Sequence, residues 1–482
     1  MAVETALPAE LISGTPEQKA NAEIARNKIE EVRLKWDEQS QKRRAANPLT
    51  PEQKRFATTV LLTNSRGTVM HDAMGDYLIK NLNVCKINGA LHIYDNGIYR
   101  QGEEALHGAM IQIVQDIPDA KRREVYRYLK ANPATPVREI SPPQLIPFKS
   151  KVYDFDSGKF LDYSPEHVFL NRFPYDYVPD APEQKIVTDF TYQITGGDAG
   201  MIQLLYEAVG NCFYFRNIFR GAVMLYGRSG HNGKSTLLNM IRQLLGGVNI
   251  SALSLHDLNE RFRLVGLYGK AANIGDDISS RYLPETENFK KAVTGESVTV
   301  EHKGQDAFSF TPFAKMFFAM NQLPPVSDRS KAFFSRILLI PLNQDFSKAP
   351  DVRLKDRVWT QAEMEWLTVL AMRGLYSLRF QGGFTKPKAV VELTSQYERD
   401  SNPLAEFIED TGTLEGRPVS EAYAGYQAWC GQAGHKNTFT RAKFTQEIGE
   451  LTGLKSKPMR HANYPGKTPR CFVGVVSDCD AL

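Results

Sequence analysis

Apolar residues along this chain fall into two rhythms. Ala222 to Tyr226, Ala271 to Gly275, Ala314 to Met320 and Ile337 to Leu342 are short, nearly unbroken apolar runs of strand length. Leu237, Leu238, Ile241, Leu244 and Leu245 follow the first run at helical spacing. Strand-length and helix-length patterns that succeed one another in this way predict an α/β fold. Upstream, Leu91 to Tyr94 alternates and meets Asp95-Asn96-Gly97, a hairpin turn signal, and Val152 to Leu161 predicts a second hairpin. An amphipathic helix around Leu106 to Ile117 is expected between them.

The same patterning divides the chain. Residues 1–60 are polar and helical around Ile24, Ile29, Val32 and Trp36, and serve as a tail, a linker or an oligomerisation helix. A mixed α/β domain spans 61–178. Helices with Ile186, Phe190, Leu204, Leu205 and Val209 over 179–220 form a helical collar, and 221–345 holds the strand runs. A helical extension over 346–400 carries Trp359, Met364, Trp366, Leu367 and Leu370 and is punctuated by Gly382-Gly383 and Pro387. In 401–482 two helices are expected, Val419 to Cys430 and Thr440 to Leu451, with Phe444, Ile448 and Leu451 on one face. A basic segment, Lys455 to Arg470, and an apolar strand from Cys471 to Val476 complete a winged-helix pattern, a fold that sets a helix in the major groove and cations on phosphates.

Composition changes little. At 482 residues the chain is too long for one core, and 42% hydrophobic with 24% charged residues is ordinary for a globular protein. No apolar run approaches the roughly 20 residues that cross a bilayer, and the first twenty residues lack a signal pattern. The five cysteines form no CxxC pair, so free thiols in a reducing compartment are expected. A cytoplasmic protein follows, in a bacterial host cell if the chain is phage-encoded. The net charge of +4 is too small to argue for nucleic acid by itself.

Candidate chemistry starts at Gly227-Arg228-Ser229-Gly230-His231-Asn232-Gly233-Lys234-Ser235-Thr236. A strand, a glycine-rich turn and a helix opened by Gly-Lys-Ser form a P-loop, in which backbone N–H groups and the helix N-terminus face a phosphate. Residues 230–236 are the expected nucleotide contacts, with Lys234 on the β- and γ-phosphates and Ser235 on Mg²⁺. Five residues separate Gly227 from Gly233 where four are usual, a longer loop entrance that puts the role of Gly227 in doubt.

The next hundred residues add to this. Asp276 and Asp277 end a strand, a Walker B arrangement in which one acid orients the Mg²⁺ shell and the next polarises water. Val298 to Phe310 alternates about Lys303-Gly304, a hairpin with a cationic tip of Lys303 and His302. Asn321 ends a buried strand where it can reach a γ-phosphate or the lytic water. Arg336 precedes another strand, suited to a neighbouring subunit's nucleotide. Asp154-Phe155-Asp156 has the look of a polymerase metal pair, but it sits in a hairpin before Ser157-Gly158 with no evident partner histidine, and is read as a turn.

Taken in order, Asn-Gly-Lys-Ser-Thr, the acid pair, Thr294-Gly295-Glu296 with its basic hairpin, Asn321-Gln322-Leu323-Pro324 and Phe334-Ser335-Arg336-Ile337 resemble superfamily 3 helicases of the AAA+ class. The likeness is greatest to the phage and plasmid primase–helicase group related to the poxvirus helicase–primase. Ile146-Pro147-Phe148-Lys149 and Val152 to Gly158 resemble the domain that precedes the helicase in that group. The resemblance implies an AAA+-type P-loop domain with a mixed α/β N-terminal domain, a helical collar and a C-terminal winged helix. It implies ATP and Mg²⁺, a homo-oligomeric ring, hexameric by the group's habit, and single-stranded or forked DNA. A primase or other replication proteins would be partners, and no membrane. By the same resemblance Lys234, Asp276, Asp277, Asn321 and Arg336 are catalytic, with Arg336 the arginine finger in trans, and Ser235 and Asp276 hold the metal. Lys303 and His302 grip DNA in the pore. Ser335 stands where many relatives carry a second arginine, leaving Arg329 as the fallback finger. Two other functions fit the motifs: an ATP-dependent origin-binding initiator without processive unwinding, and a P-loop regulatory or defence ATPase with a protein partner.

Overall fold

A computed structural model describes residues 50–260, 262–276, 281–301, 307–348, 351, 354, 357–401, 403–433 and 438–474. The N-terminal 49 residues, Asp277, His302 and Lys303 lie outside them. The chain divides into two compact units, residues 1–84 with 102–135, and residues 85–101 with 136–482, so the span 61–178 contributes to both.

The first unit is helical. Thr50 and Gln53 form a capping box ahead of α1 (Pro51–Leu62), with Pro51 at the position where its missing N–H is harmless. α2 (His71–Leu82) packs on α4 (Asp119–Ala131), burying Met74 and Leu78 with Val125 and Leu129. Gly75 allows this approach, since a Cβ there would lie 2.4 Å from the Tyr128 ring. The helix expected from Leu106 to Ile117 is shorter: α3 spans Glu103–Ile113. Pro118 disfavours helical backbone at Ile117 and starts the next helix instead.

In the second unit, β1 (Cys85–Ile87), β2 (Ala90–Asp95) and β3 (Ile98–Gln101) form an antiparallel sheet. Its β2–β3 turn is left-handed at Asn96 and Gly97, as the Asn-Gly signal predicts. β4 (Leu145–Pro147), β5 (Val152–Asp154) and β6 (Lys159–Leu161) form a second antiparallel sheet.

The centre is a five-stranded parallel sheet in the order β13-β7-β12-β9-β8. Its strands are β7 (Ala222–Tyr226), β8 (Ile250–Ser251), β9 (Ala272–Gly275), β12 (Lys315–Met320) and β13 (Ile337–Pro341). The fold is therefore α/β with a parallel sheet. Both faces are covered, which is why the strands read as unbroken apolar runs rather than alternating ones. On one face α5 (Lys185–Thr195), α6 (Ala199–Asn211), α7 (Lys234–Leu245) and α10 (Gln361–Gln381) share a core with Val223, Leu225 and Phe317. The other face is covered by α8 (Glu287–Thr294) and the antiparallel pair β10 (Val298–Val300) and β11 (Phe308–Phe310). α9 (Lys331–Phe334) and Tyr397 of α11 (Lys388–Ser401) complete that core.

α6 and α10 meet backbone to backbone. A Cβ at Gly210 would lie 2.0 Å from the Ala371 carbonyl oxygen, and one at Gly374 would lie 2.3 Å from the Tyr206 carbonyl. Beside this crossing the buried carboxylate of Glu207 accepts from the Thr385 N–H and hydroxyl, both at 2.7 Å. Trp366 of α10 donates to Thr188 of α5, and Tyr376 of α10 stacks on Phe155 and shares a hydroxyl–hydroxyl bond with Tyr153.

The C-terminal part has its own core of Leu404, Phe407, Tyr426, Phe444, Ile448 and Phe472. It consists of α12 (Pro403–Thr411), α13 (Val419–Ala433), α14 (Arg441–Thr452) and an antiparallel pair, β14 (Lys455–Pro458) with β15 (Arg470–Val473). Its last two helices are followed by the antiparallel strand pair. Leu451 corrects the expected apolar face: it is 44% exposed. The helix stops at a left-handed cap on Gly453, and Leu454, the next residue, joins the core instead.

Candidate functional site

The 227–233 loop joins β7 to α7 at the C-terminal edge of the sheet. It turns left-handed twice, at His231 (φ 60°) and Gly233 (φ 84°). The His231 carbonyl accepts from the Phe346 N–H at 2.9 Å, which ties the loop to the segment after β13. A Cβ at Gly227 would lie 2.0 Å from Asn232 Nδ2 and 2.8 Å from the Leu342 carbonyl oxygen, and one at Gly233 would strike Ile194 of α5. A Cβ at Gly230 would meet nothing within 4 Å. The sterically required glycines are thus 227 and 233.

Lys234 is buried at the first position of α7. Its ammonium donates to the Gly227 carbonyl at 3.1 Å and to the Oδ1 atoms of Asn232 and Asn321, each at 2.9 Å. Asn232 in turn donates to the Ser229 carbonyl, so one side chain closes the loop and aims the lysine. Asn321 follows the last residue of β12, and β12 lies between β7 and β9. Asp276 follows β9 and sits 3.8 Å from an Arg242 nitrogen. A cavity of about 450 Å³ is lined by residues 230–236, Asp276 and Asn321. Sequence-distant expectations therefore meet in one place. Arg242 and the bracing role of Asn232 escaped sequence reasoning, because no local spacing marks a helix residue that faces another strand's acid.

Arg336 is not part of this cavity. It precedes β13, whose Ile337 pairs with Ala222 and whose Pro341 pairs with Tyr226 in parallel register. It therefore stands where β7 begins, and the lysine site stands where β7 ends. Five strand residues separate the two edges by about 17 Å, beyond an arginine's reach. The Arg336 guanidinium donates to the Ala332 carbonyl of its own α9, and its buried Nε has no acceptor among the described residues. The fallback, Arg329, is committed elsewhere: its guanidinium lies 4.2 Å from the centroid of the Phe439 ring.

The Asp154 expectation holds as a turn. Its carboxylate accepts from the Ser157 hydroxyl at 2.6 Å and the Asp156 N–H at 3.1 Å. Strands β10 and β11 form the expected hairpin arms, with the Lys303 tip outside the described residues. Among the described residues no helix is long and apolar enough to cross a membrane.

Two family profiles match. Residues 24–196 match a family described as D5 N terminal like, and residues 225–336 match a family of unknown function (DUF5906). The chain is 23% identical over 319 residues to "Putative helicase L207/L206" of Acanthamoeba polyphaga mimivirus, covering 59% of this chain and 33% of that protein. It is 23% identical over 331 residues to "Putative helicase 121R" of Invertebrate iridescent virus 3, covering 60% and 35%. The chain thus spans about a third of the length of these curated relatives. Among solved structures, the A form apo structure of the NrS-1 C-terminal region covers 83% of this chain and 98% of its own at 14% identity, with a TM-score of 0.47. The similarity to D5-type and helicase-named viral proteins agrees at family level with the resemblance drawn from the motifs.

Proposed function

We propose that the chain is an ATP-dependent, ring-forming DNA helicase of the AAA+ superfamily 3 type, working in replication on single-stranded or forked DNA. The observation that carries this reading is the Lys234 ammonium, held by Gly227, Asn232 and Asn321 at the rim of a polar cavity at the C-terminal edge of a parallel sheet. Such crevices at strand C-termini are where α/β sheets take ligands, and a glycine-rich loop running into a helix N-terminus suits polyphosphate.

In this reading Lys234 exchanges its carbonyl and amide acceptors for phosphate oxygens. Ser235 and Asp276 supply a hydroxyl and a carboxylate on the same cavity wall, a donor set suited to Mg²⁺, which when bound would offset phosphate charge. Asn321, released by the lysine, is free to orient a water. Asp277 polarises that water, Arg336 completes the site of an adjacent protomer, and Lys303 with His302 holds a DNA strand. The distance from Arg336 to its own cavity supports a trans role. Viral relatives named helicases support the DNA substrate.

The test is ATP turnover with and without single-stranded DNA, together with native mass measurement. Wild type is expected to hydrolyse ATP, to be stimulated by DNA and to assemble. A monomer without turnover under all conditions ends the proposal. The exposed Lys455 and Lys457 on the wing favour one alternative, an initiator that docks on duplex DNA. ATPase activity without strand displacement on forked substrates would select it.

A further inference from the structure

Arg329 is the cation that this reading leaves over. It sits midway along a connector, residues 321–336, that starts at the sensor Asn321 and ends at Arg336. The connector is pinned from below. Val326 bridges to Leu283, the Ser327 hydroxyl donates to the Pro284 carbonyl at 2.6 Å, and Tyr397 donates to the Pro324 carbonyl at 2.6 Å. Asp328 accepts from Thr286 at 2.7 Å and from Lys290 at 2.6 Å. Arg329, the next residue, goes the other way. Its guanidinium lies over the ring of Phe439, which belongs to the C-terminal part of the unit.

Phe439 is well placed to pass a displacement on. It precedes Thr440, whose side chain caps α14 by accepting from the Lys443 N–H. Its carbonyl accepts from the Tyr423 hydroxyl at 2.9 Å, and its ring stacks with that of Tyr426. The backbone at 439 thus moves with α13 and α14, and its ring holds the connector. The contact is also poised to let go. Arg329 Nε and Nη1 are buried without an acceptor among the described residues, so the attraction of ring for cation is set against two unmade hydrogen bonds.

We propose that Arg329 is a positioning residue: through the Phe439 ring it couples the winged-helix-like domain to the connector carrying Arg336, so that nucleic acid on that domain sets the rate at which Arg336 serves the adjacent site. This rests on the reading of Arg336 as a trans-acting finger and of DNA as the substrate.

The experiment compares wild type, Phe439→Leu and Phe439→Tyr in ATP turnover with and without forked DNA, alongside thermal melting. Phe439→Leu is expected to keep basal kcat, KM for ATP and melting temperature while DNA stimulation of kcat falls about fivefold or more. Phe439→Tyr restores the stimulation. Should Phe439→Leu melt early, Arg329→Gln carries the same expectation. Wild type that hydrolyses ATP and responds to DNA, with Phe439→Leu or a folded Arg329→Gln responding equally, overturns this proposal alone. Wild type that ignores DNA overturns the functional reading and this proposal with it.

Discussion

The two edges of the parallel sheet are built on opposite principles. At the C-terminal edge two charged groups have found company within the chain: Lys234 has three oxygen acceptors and Asp276 lies beside Arg242. At the N-terminal edge Arg336 has a buried Nε without an acceptor among the described residues. Buried donors are rarely left unmade, and in the proposed ring the Arg336 Nε would be met by a group from the adjacent protomer. In the proposed ring one edge is finished by folding and the other waits for assembly.

Lys315 shows that the difference is not a general poverty of acceptors at the second edge. It opens β12, is fully enclosed, and donates to the carbonyls of Tyr214, Arg216 and Phe313 and to Asn217 Oδ1, at 2.6 to 3.1 Å. A cation there can be caged when its purpose is structural.

The largest effect expected is on turnover. Arg336→Ala should lower kcat by about 10³ or more with ATP binding retained. Lys234→Ala should be equally inactive but fail to bind nucleotide. Mixing the two dead variants should recover activity if, as proposed, one protomer supplies the lysine and its neighbour the arginine; no recovery would break the contrast between the edges. Next, Lys315→Met should cost about 3 kcal/mol in urea unfolding, since it leaves four buried oxygens bare. Burial pushes the Lys315 ammonium down from 10.5 to about 7. The unfolded chain therefore binds more protons between these values, and this group's stability contribution, complete above about pH 10.5, is lost as pH falls through 7. Wild type should gain stability from pH 7 to 10, and Lys315→Met should lose that slope.

A smaller change tests the finished edge. Gly227→Ala should displace Asn232, open the loop that its side chain closes and weaken nucleotide binding about tenfold, read by titration calorimetry. Smallest is a pH step. Burial alone would raise the Asp328 carboxyl, but hydrogen bonds from Lys290, Ser330 and Thr286 outweigh it and hold the group at about 2, against 3.8 when unfolded. Its contribution is complete above pH 3.8 and is lost as pH falls through 2. Lys290→Met should shrink that acid step in a melting series, and an unchanged step would remove Asp328 as a connector anchor.

The finished edge was largely legible in the sequence and the waiting edge was not. Glycine, lysine and serine spacing is local, and so are the apolar runs that end in Asp276 and Asn321; each carries its own position on the sheet. The steric need for glycine at 227 did not show in the sequence, because it arises from Asn232 across the loop and from the Leu342 carbonyl after β13. Lys315 was invisible inside an apolar run, since its four acceptors lie up to 101 residues away. Arg329 read as a spare finger because nothing near it in sequence announces Phe439. Leu451 followed helical spacing faithfully, and the helix ended two residues later at Gly453.

The glycine crossing of α6 and α10 has a mechanical consequence. α10 runs 21 residues, about 30 Å, and rests on its neighbour with no side chain between the two backbones. A bearing without padding has no slack: the shaft can pivot there, but it cannot slide. Gln243 of α7 holds Trp359 far out on one arm, whereas Tyr376 meets the β5–β6 hairpin only two residues past Gly374, so a swing of the long arm would leave the hairpin contact almost still.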